Sequence, residues 1–286
     1  MRRVLQTLSL FAPLPVAVVG AVAAHTQGHS AIAFWPNLAA IAIGACVVVG
    51  LQRRALWLSG MTVPWLSVSV VAATLLFPGY QGVHRWLSLG AIQLHASAVW
   101  SPWVLSGLLH GTCTWRTAGA VLVLQAIHWL QPDAAQSTGT ALATVAACGM
   151  AREGYPLVRW LVSLAVTVMC LGTWARDVAL PAVPHVEGIL QLVAACGVPW
   201  VALAGVAGLI VLMPFTARMR APARFARTGV LLLLLLGEFV GALLGAYPVP
   251  LLGAGAGHVL GWYALYAVDL RTRQEPGTTG SGLRGR

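Results

Sequence analysis

A few short stretches hold the side chains able to do chemistry. PAVPHVEG places His185 and Glu187 just after Pro184. A carboxylate at the edge of an apolar run is the right type of group to take a proton from an attacking hydroxyl within hydrogen-bond reach. The structural alternative is an acidic residue in the first turn of a helix, favoured by the helix dipole. GVHRWLSLG, residues 82–90, sets His84 and Arg85 beside Trp86 in a chain that is otherwise almost continuously apolar. The planar guanidinium fork matches phosphate oxygens. Equally, Arg85 could snorkel at a membrane interface beside Tyr80 and Trp86. QPDAAQSTG offers Gln131, Asp133 and a cluster of hydroxyls, and reads as a turn followed by a helix capped by Ser137 or Thr138. Glu238 stands inside LLLLLLGEFVGALLG, flanked by Gly237, Gly241 and Gly245 at the spacing of close helix packing. An intramembrane carboxylate is either functional or a protonated group bonded to a neighbour. His25 and His29 are four apart and would share a helical face, but a solvated loop is the simpler reading than a metal site.

The elements that must position these groups follow from composition. The chain has 286 residues, 58% hydrophobic and 8% charged. A soluble domain uses about a quarter charged residues. The fold class is therefore an all-α integral membrane protein, a single transmembrane bundle over residues 1–270. The remainder, 271–286, is rich in Gly, Arg and Thr without an apolar face and reads as a disordered tail. Spans of roughly 20 apolar residues cross a bilayer. Ten candidates lie at 4–24, 38–51, 55–77, 94–109, 117–131, 138–151, 160–175, 188–215, 228–246 and 251–268. MRR, an apolar run and AVAAH at 21–25 also fit a secretory signal with a cleavage site.

All 17 basic side chains are arginine. With the N-terminus inside, only Arg85 and Arg176 fall outside, which puts both termini in the cytoplasm. No basic patch interleaves with aromatics in a soluble segment, so nucleic-acid binding is not expected. The five cysteines lack CxxC spacing and mostly sit in apolar runs, so neither a disulfide nor a metal site is expected from them.

Taken in order, the outer loops resemble those of the SEDS family (shape, elongation, division and sporulation). GVHRWLSLGAIQLHAS resembles the family's Gly-x-x-Arg-Trp loop and the Gln-Pro-Ser-Glu segment after it. QPDAAQSTGTAL is similar to Gln-Pro-Asp-Leu-Gly-Thr-Ala-Leu with three residues inserted. LPAVPHVEGILQLVAACGVPWVALAG looks like the Leu-Pro-Glu-x-His-Thr-Asp-Phe loop and its following helix. PVPLLGAGAG is similar to Pro-Leu-Pro-Phe followed by a Tyr-Gly-Gly step, here Gly255 and Gly257.

The resemblance implies a peptidoglycan glycosyltransferase of the bacterial cytoplasmic membrane, serving cell shape or division. Such an enzyme polymerises lipid II, a disaccharide-peptide on a polyprenyl pyrophosphate, alongside a single-pass penicillin-binding protein. Glu187, with His185, stands where the family has its essential aspartate, and would be the general base. Arg85, Trp86, Gln131, Asp133 and Thr138 would contact substrate, and a divalent cation is admitted beside Arg85. This sequence departs from the family pattern at several points. Ala98 and Ser101 stand where the family has a glutamate and a lysine, and His95 and Ala96 where it has Gln-Pro. The stretch between QPD and PHVEG is about half the family's usual length. Two alternatives follow: a catalytically degenerate scaffold of a cell-wall complex, or a transporter of polyprenyl-linked sugars. A reporter fused after Arg286 is expected to be active only as a cytoplasmic fusion; a periplasmic signal would refute the ten-span map.

Overall fold

The computed structural model describes residues 8–54, 61–90, 92–109, 112–176, 180–216, 219 and 222–271. The tail after residue 271 and the arginines at 2, 3, 218, 220, 273, 284 and 286 lie outside the described residues. Arg271 itself closes the last helix and is not part of a tail.

Among the described residues, eleven α-helices follow in order. They are α1 (Pro13–Thr26), α2 (Trp35–Arg54), α3 (Thr62–Ala73), α4 (Ala96–Ser106), α5 (Trp115–Leu130), α6 (Ala134–Met150), α7 (Pro156–Trp174), α8 (Ile189–Ala195), α9 (Val198–Thr216), α10 (Pro222–Leu244) and α11 (Ala256–Arg271). Among the described residues, the named strands form two small pairs. β1 (Trp86–Leu89) and β2 (Ile92–His95) form an antiparallel hairpin, and β3 (Thr112–Cys113) pairs in parallel with β4 (Glu153–Gly154). An apolar chain in lipid must satisfy its backbone internally, which leaves helices as the only open-ended solution.

Ala31–Gln52, Pro156–Trp174, Val198–Thr216 and Arg224–Leu244 are long and apolar enough to cross a membrane unaided. The outward face of α7 carries Leu157, Trp160, Leu164, Val168 and Leu171, all exposed. Their spacing of three and four residues draws one apolar stripe, the signature of a helix facing lipid. Here α11 is the opposite case. Its residues from Gly261 to Arg271 are buried, with Trp262 stacked on Tyr266 and Phe215 edge-on to both. It forms the centre of the bundle.

Three expectations need correction. The span 188–215 is two helices, α8 and α9, divided where Gly197 turns to φ +100° just before Pro199. Glycine adopts that conformation without a Cβ penalty, and the proline ring cannot extend the preceding helix. The span 94–109 begins too early: residues 92–95 are strand, and the hairpin turns at Gly90 with φ +64°. Finally, the helix after QPD is capped by Asp133, not by Ser137 or Thr138; its Oδ1 accepts from the Gln136 N–H at 3.3 Å. An aspartate is as good a cap as serine.

Close helix approach depends on small residues. α6 and α10 meet at Gly139, Gly237 and Gly241, where a methyl added at Gly237 would lie 2.5 Å from the Gly139 Cα. On α11, Gly257 and Gly261 face the backbone at the start of α4; a methyl on Gly257 would sit 2.7 Å from the His95 Cβ. Such contacts replace the hydrophobic driving force that lipid removes. The alternation of helices brings the described arginines to two ends. Arg85 and Arg176 share one end, while Arg116, Arg159 and Arg271 lie at the other, as the charge sorting predicts.

These packings carry a test. Gly237→Ala is expected to lower the thermal midpoint of the detergent-solubilised protein, costing about 1–3 kcal/mol by overpacking. Gly229→Ala on the same helix, where no atom lies within 4 Å, is expected to be neutral or stabilising. Equal midpoints for the two variants would contradict the described α6–α10 contact.

Candidate functional site

Arg85 is the hub of the arginine-poor end. It is 3% exposed, held where the chain enters β1. Its Nε donates to the Gln131 carbonyl at 3.4 Å and its Nη2 to the Pro132 carbonyl. The guanidinium lies 4.7 Å from the centre of the Tyr247 ring, a cation–π contact. Tyr247 meets Trp174 edge-on at 5.7 Å, and the Trp174 indole N–H donates to Thr138 Oγ1 at 2.9 Å. One side chain thus joins the loop before β1, the α5–α6 turn and the segment after α10. The interfacial-anchor reading of Arg85 is overturned, because the side chain is inside protein.

Next to it runs a line of buried polar groups. His95 ends β2 and caps α4, its Nδ1 accepting the Ala98 N–H at 3.3 Å. With Nδ1 accepting, the ring proton sits on Nε2, which lies 3.1 Å from Asp133 Oδ2. The His95 and His258 rings are 5.1 Å apart, and His258 Nε2 is 3.9 Å from Glu238 Oε2. Burial alone would raise the Asp133 pKa, but His95 and Arg85 hold the carboxyl well below the usual range. Hence Asp133 is an anion balancing Arg85, not a spare base. The Gln131 amide is taken up by the Val71 carbonyl, Thr74 and Ser97.

Glu187 sits apart from this line, on a turn that precedes α8. The N–H groups of Val186, Glu187 and Gly188 all converge on the Val183 carbonyl. The helix itself starts at Ile189 with Gly188 as its cap. Glu187 therefore does not occupy the first helical turn; its Oε2 instead accepts the Val183 N–H at 2.9 Å. Burial raises its pKa, while that backbone bond and the charge of Arg85 pull the other way. The turn is seated on the 249–254 segment: Val249 N–H donates to Val186 O at 3.4 Å and Ala254 N–H to His185 O at 2.8 Å. Asn37 of α2 pins that segment in turn. Its Nδ2 donates to Gly253 O at 2.9 Å, and its Oδ1 accepts the Gly255 N–H at 2.7 Å.

Two cavities lie close to this turn. The first, about 720 Å³, is lined by Glu187, Pro184, Gln191 and residues 242–246 of the α10 end. The second is an apolar groove of about 520 Å³ between α1, α8, α9 and α10. They share Leu190, Ala194 and Leu243 as lining residues, so the groove lies next to the cavity that Glu187 lines.

The structure brings Arg85, Trp86, Asp133 and Gln131 into one cluster, with Trp86 edge-on to His95 at 6.3 Å. Glu187 is within electrostatic reach of Arg85 and His95. His185 points elsewhere, its ring 6.1 Å from that of His29, and burial and that neighbour lower its pKa. Glu238 is buried against Gly139 and His258. Sequence reading missed Asn37, His95, Tyr247 and His258 as parts of the assembly. A polar residue isolated in an apolar run, such as Asn37 or His258, was the available signal. The donors do not fit a divalent cation held by protein alone. Among the described residues no three His, Cys, Asp or Glu side chains converge, and Asp133 Oδ2 faces His95.

No family model matches the chain. No curated protein matches it either. Solved structures do match. Rod shape determining protein RodA of Thermus thermophilus superposes at TM-score 0.63 with 18% identity, covering 94% of this chain and 97% of RodA. An alanine variant of the same RodA gives 0.63 and 17%, over 94% and 98%. A chain from a structure describing polymerisation and crosslinking by a peptidoglycan synthase complex gives 0.60 and 18%, over 93% and 98%. Through nearly its whole length the chain thus has the fold of RodA.

Proposed function

We propose that the chain is a SEDS-type glycosyltransferase polymerising lipid II at the outer face of the bacterial cytoplasmic membrane. The observation that carries this reading is an apolar groove that shares Leu190, Ala194 and Leu243 with the adjacent cavity lined by Glu187. A polyprenyl-linked sugar is apolar at one end and polar at the other. The groove suits the tail, and the adjacent cavity suits the sugar beside a half-buried carboxylate. The RodA fold supports the same reading, although a fold alone does not fix an activity.

In the proposed step a sugar hydroxyl attacks the anomeric carbon of a second lipid-linked sugar. The new C–O bond forms as the bond to pyrophosphate breaks, and the leaving group departs with the electron pair. Glu187 takes the hydroxyl proton, and Val183 N–H fixes one of its oxygens so that the other faces the cavity. Arg85, anchored through Nε and Nη2, adds positive charge on the side where the pyrophosphate would lie. His95 and Asp133 hold that corner rigid. The partner by this reading is a single-pass penicillin-binding protein, in keeping with the peptidoglycan synthase complex one of whose chains shares the fold, and the setting is cell shape or division.

One observation favours a second reading, a scaffold without activity. Ala98 and Ser101 are buried, with α11 packed on the Ala98 carbonyl, so neither position supplies an acid or a lysine to the site.

Purified protein, alone and with candidate partners, is expected to polymerise labelled lipid II. Glu187→Ala should lower the rate roughly 100- to 10,000-fold, and Glu187→Asp about 100-fold through misplacement. The base works deprotonated and its pKa is raised by burial. The acid limb of kcat/KM should therefore fall above the usual glutamate value of about 4.3, and residual activity of Glu187→Ala should lose it. Unchanged activity in Glu187→Ala refutes the mechanism; no polymer under any pairing favours the scaffold.

A further inference from the structure

The arginine-rich end holds a second polar cavity, about 320 Å³, on the opposite side of the bundle from Glu187. It lies between the end of α4, the start of α5, β3 and the last residue of α11. Arg271 and Arg116 both line it, together with Thr112 and Thr114. Arg271 is 6% exposed, and among the described residues its guanidinium makes no hydrogen bond and no ion pair. An arginine is almost never buried unless paired, because its charge is costly to strip of water.

Among the described residues the surroundings do not supply the missing acceptor. Partial negative charge at the α11 C-terminus favours a cation there but offers no discrete anion. Asp269 is two residues away and accepts from Thr228 Oγ1 at 2.7 Å. Glu153, on the strand paired with Thr112, is exposed and forms no ion pair among the described residues. The Ser106 hydroxyl donates to the Trp103 carbonyl, and Thr114 Oγ1 serves the α5 cap. Among the described polar side chains that line the cavity, two guanidinium groups and the Thr112 hydroxyl are left, and each can donate.

We propose that this cavity binds a phosphate group, gripped by Arg271 at its base, Arg116 at its rim and the Thr112 hydroxyl. Guanidinium forks pair with phosphate oxygens in two parallel hydrogen bonds. The cavity is at the end of the bundle where a membrane surface lies, and basic pockets between helices on a cytoplasmic face accept anionic lipid headgroups. The phosphate comes either from such a headgroup or from free phosphate. This site is independent of the glycosyl-transfer reading.

The test uses the full chain in maltoside detergent, with thermal unfolding followed as ligand is added. Phosphatidylglycerol is one arm; inorganic phosphate at constant ionic strength is the other. A saturable rise in midpoint is expected, by preferential binding to the folded state. A rise with the lipid alone identifies the headgroup, and a rise with both identifies phosphate itself. Arg271→Gln should abolish the rise. Arg116→Gln should weaken apparent affinity at least about tenfold, the loss of one good charge-assisted contact. Should Arg271→Gln fail to fold, the exposed Arg116 decides. Arg224→Gln, an exposed arginine outside the cavity, should leave the rise unchanged. The proposal is overturned if neither ligand raises the midpoint, if Arg116→Gln binds normally, or if Arg224→Gln weakens binding equally.

Discussion

A single buried guanidinium organises the arginine-poor end of this bundle. Arg85 reaches two carbonyls of the α5–α6 turn, lies over Tyr247 and is balanced by the Asp133 carboxylate. Removing one member of a buried charged set leaves the others uncompensated, typically at a cost of about 3–5 kcal/mol. Here that cost would fall on three chain segments at once. The hairpin, the α6 cap and the segment after α10 hold their places because one cation needs all of them.

Around this cluster, backbone-to-backbone contacts provide the precision. Gly257 and Gly261 let α11 touch the start of α4, which fixes His95 against His258. Gly139 and Gly237 do the same for α6 and α10, placing Glu238 at the other end of the polar line. Asn37 reaches from α2 to hold the 253–255 backbone, on which the Glu187 turn rests. Polar groups inside an apolar bundle are expensive, so they survive where neighbouring helices satisfy them. The consequence is that Arg85, Asp133 and Glu238 sit on crossing helices and short turns, while Glu187 is held by the 249–254 segment.

Much of this was legible in the sequence, and the rest was not for definable reasons. Apolar runs located the helices, because lipid leaves a chain few alternatives. Arginine placement sorted the two ends, since Arg85 and Arg176 stand apart from the others. The α8–α9 break was readable in Gly197 and Pro199 but was masked by unbroken hydropathy. Alternation in Trp86–His95 signalled a hairpin, which a search for long spans overrides. Side-chain partnerships were the least legible part. Tyr247 under Arg85 and His258 beside His95 join residues 162 and 163 positions apart, and nothing local in the chain encodes either pairing. Glu187 stood out in its loop as an isolated carboxylate, whereas its bond to Val183 needed the fold.

The central claim is positional: a lipid-linked sugar lies with its tail in the groove between α1, α8, α9 and α10 and its head beside Glu187. Photocrosslinking with a polyprenyl-pyrophosphate disaccharide carrying a photoreactive group on the sugar tests this directly. Mapping by mass spectrometry is expected to place the adduct within residues 182–194 or 242–246, the walls of the Glu187 cavity. Adducts confined to the arginine-rich end, or to the lipid-facing stripe of α7, would contradict the account.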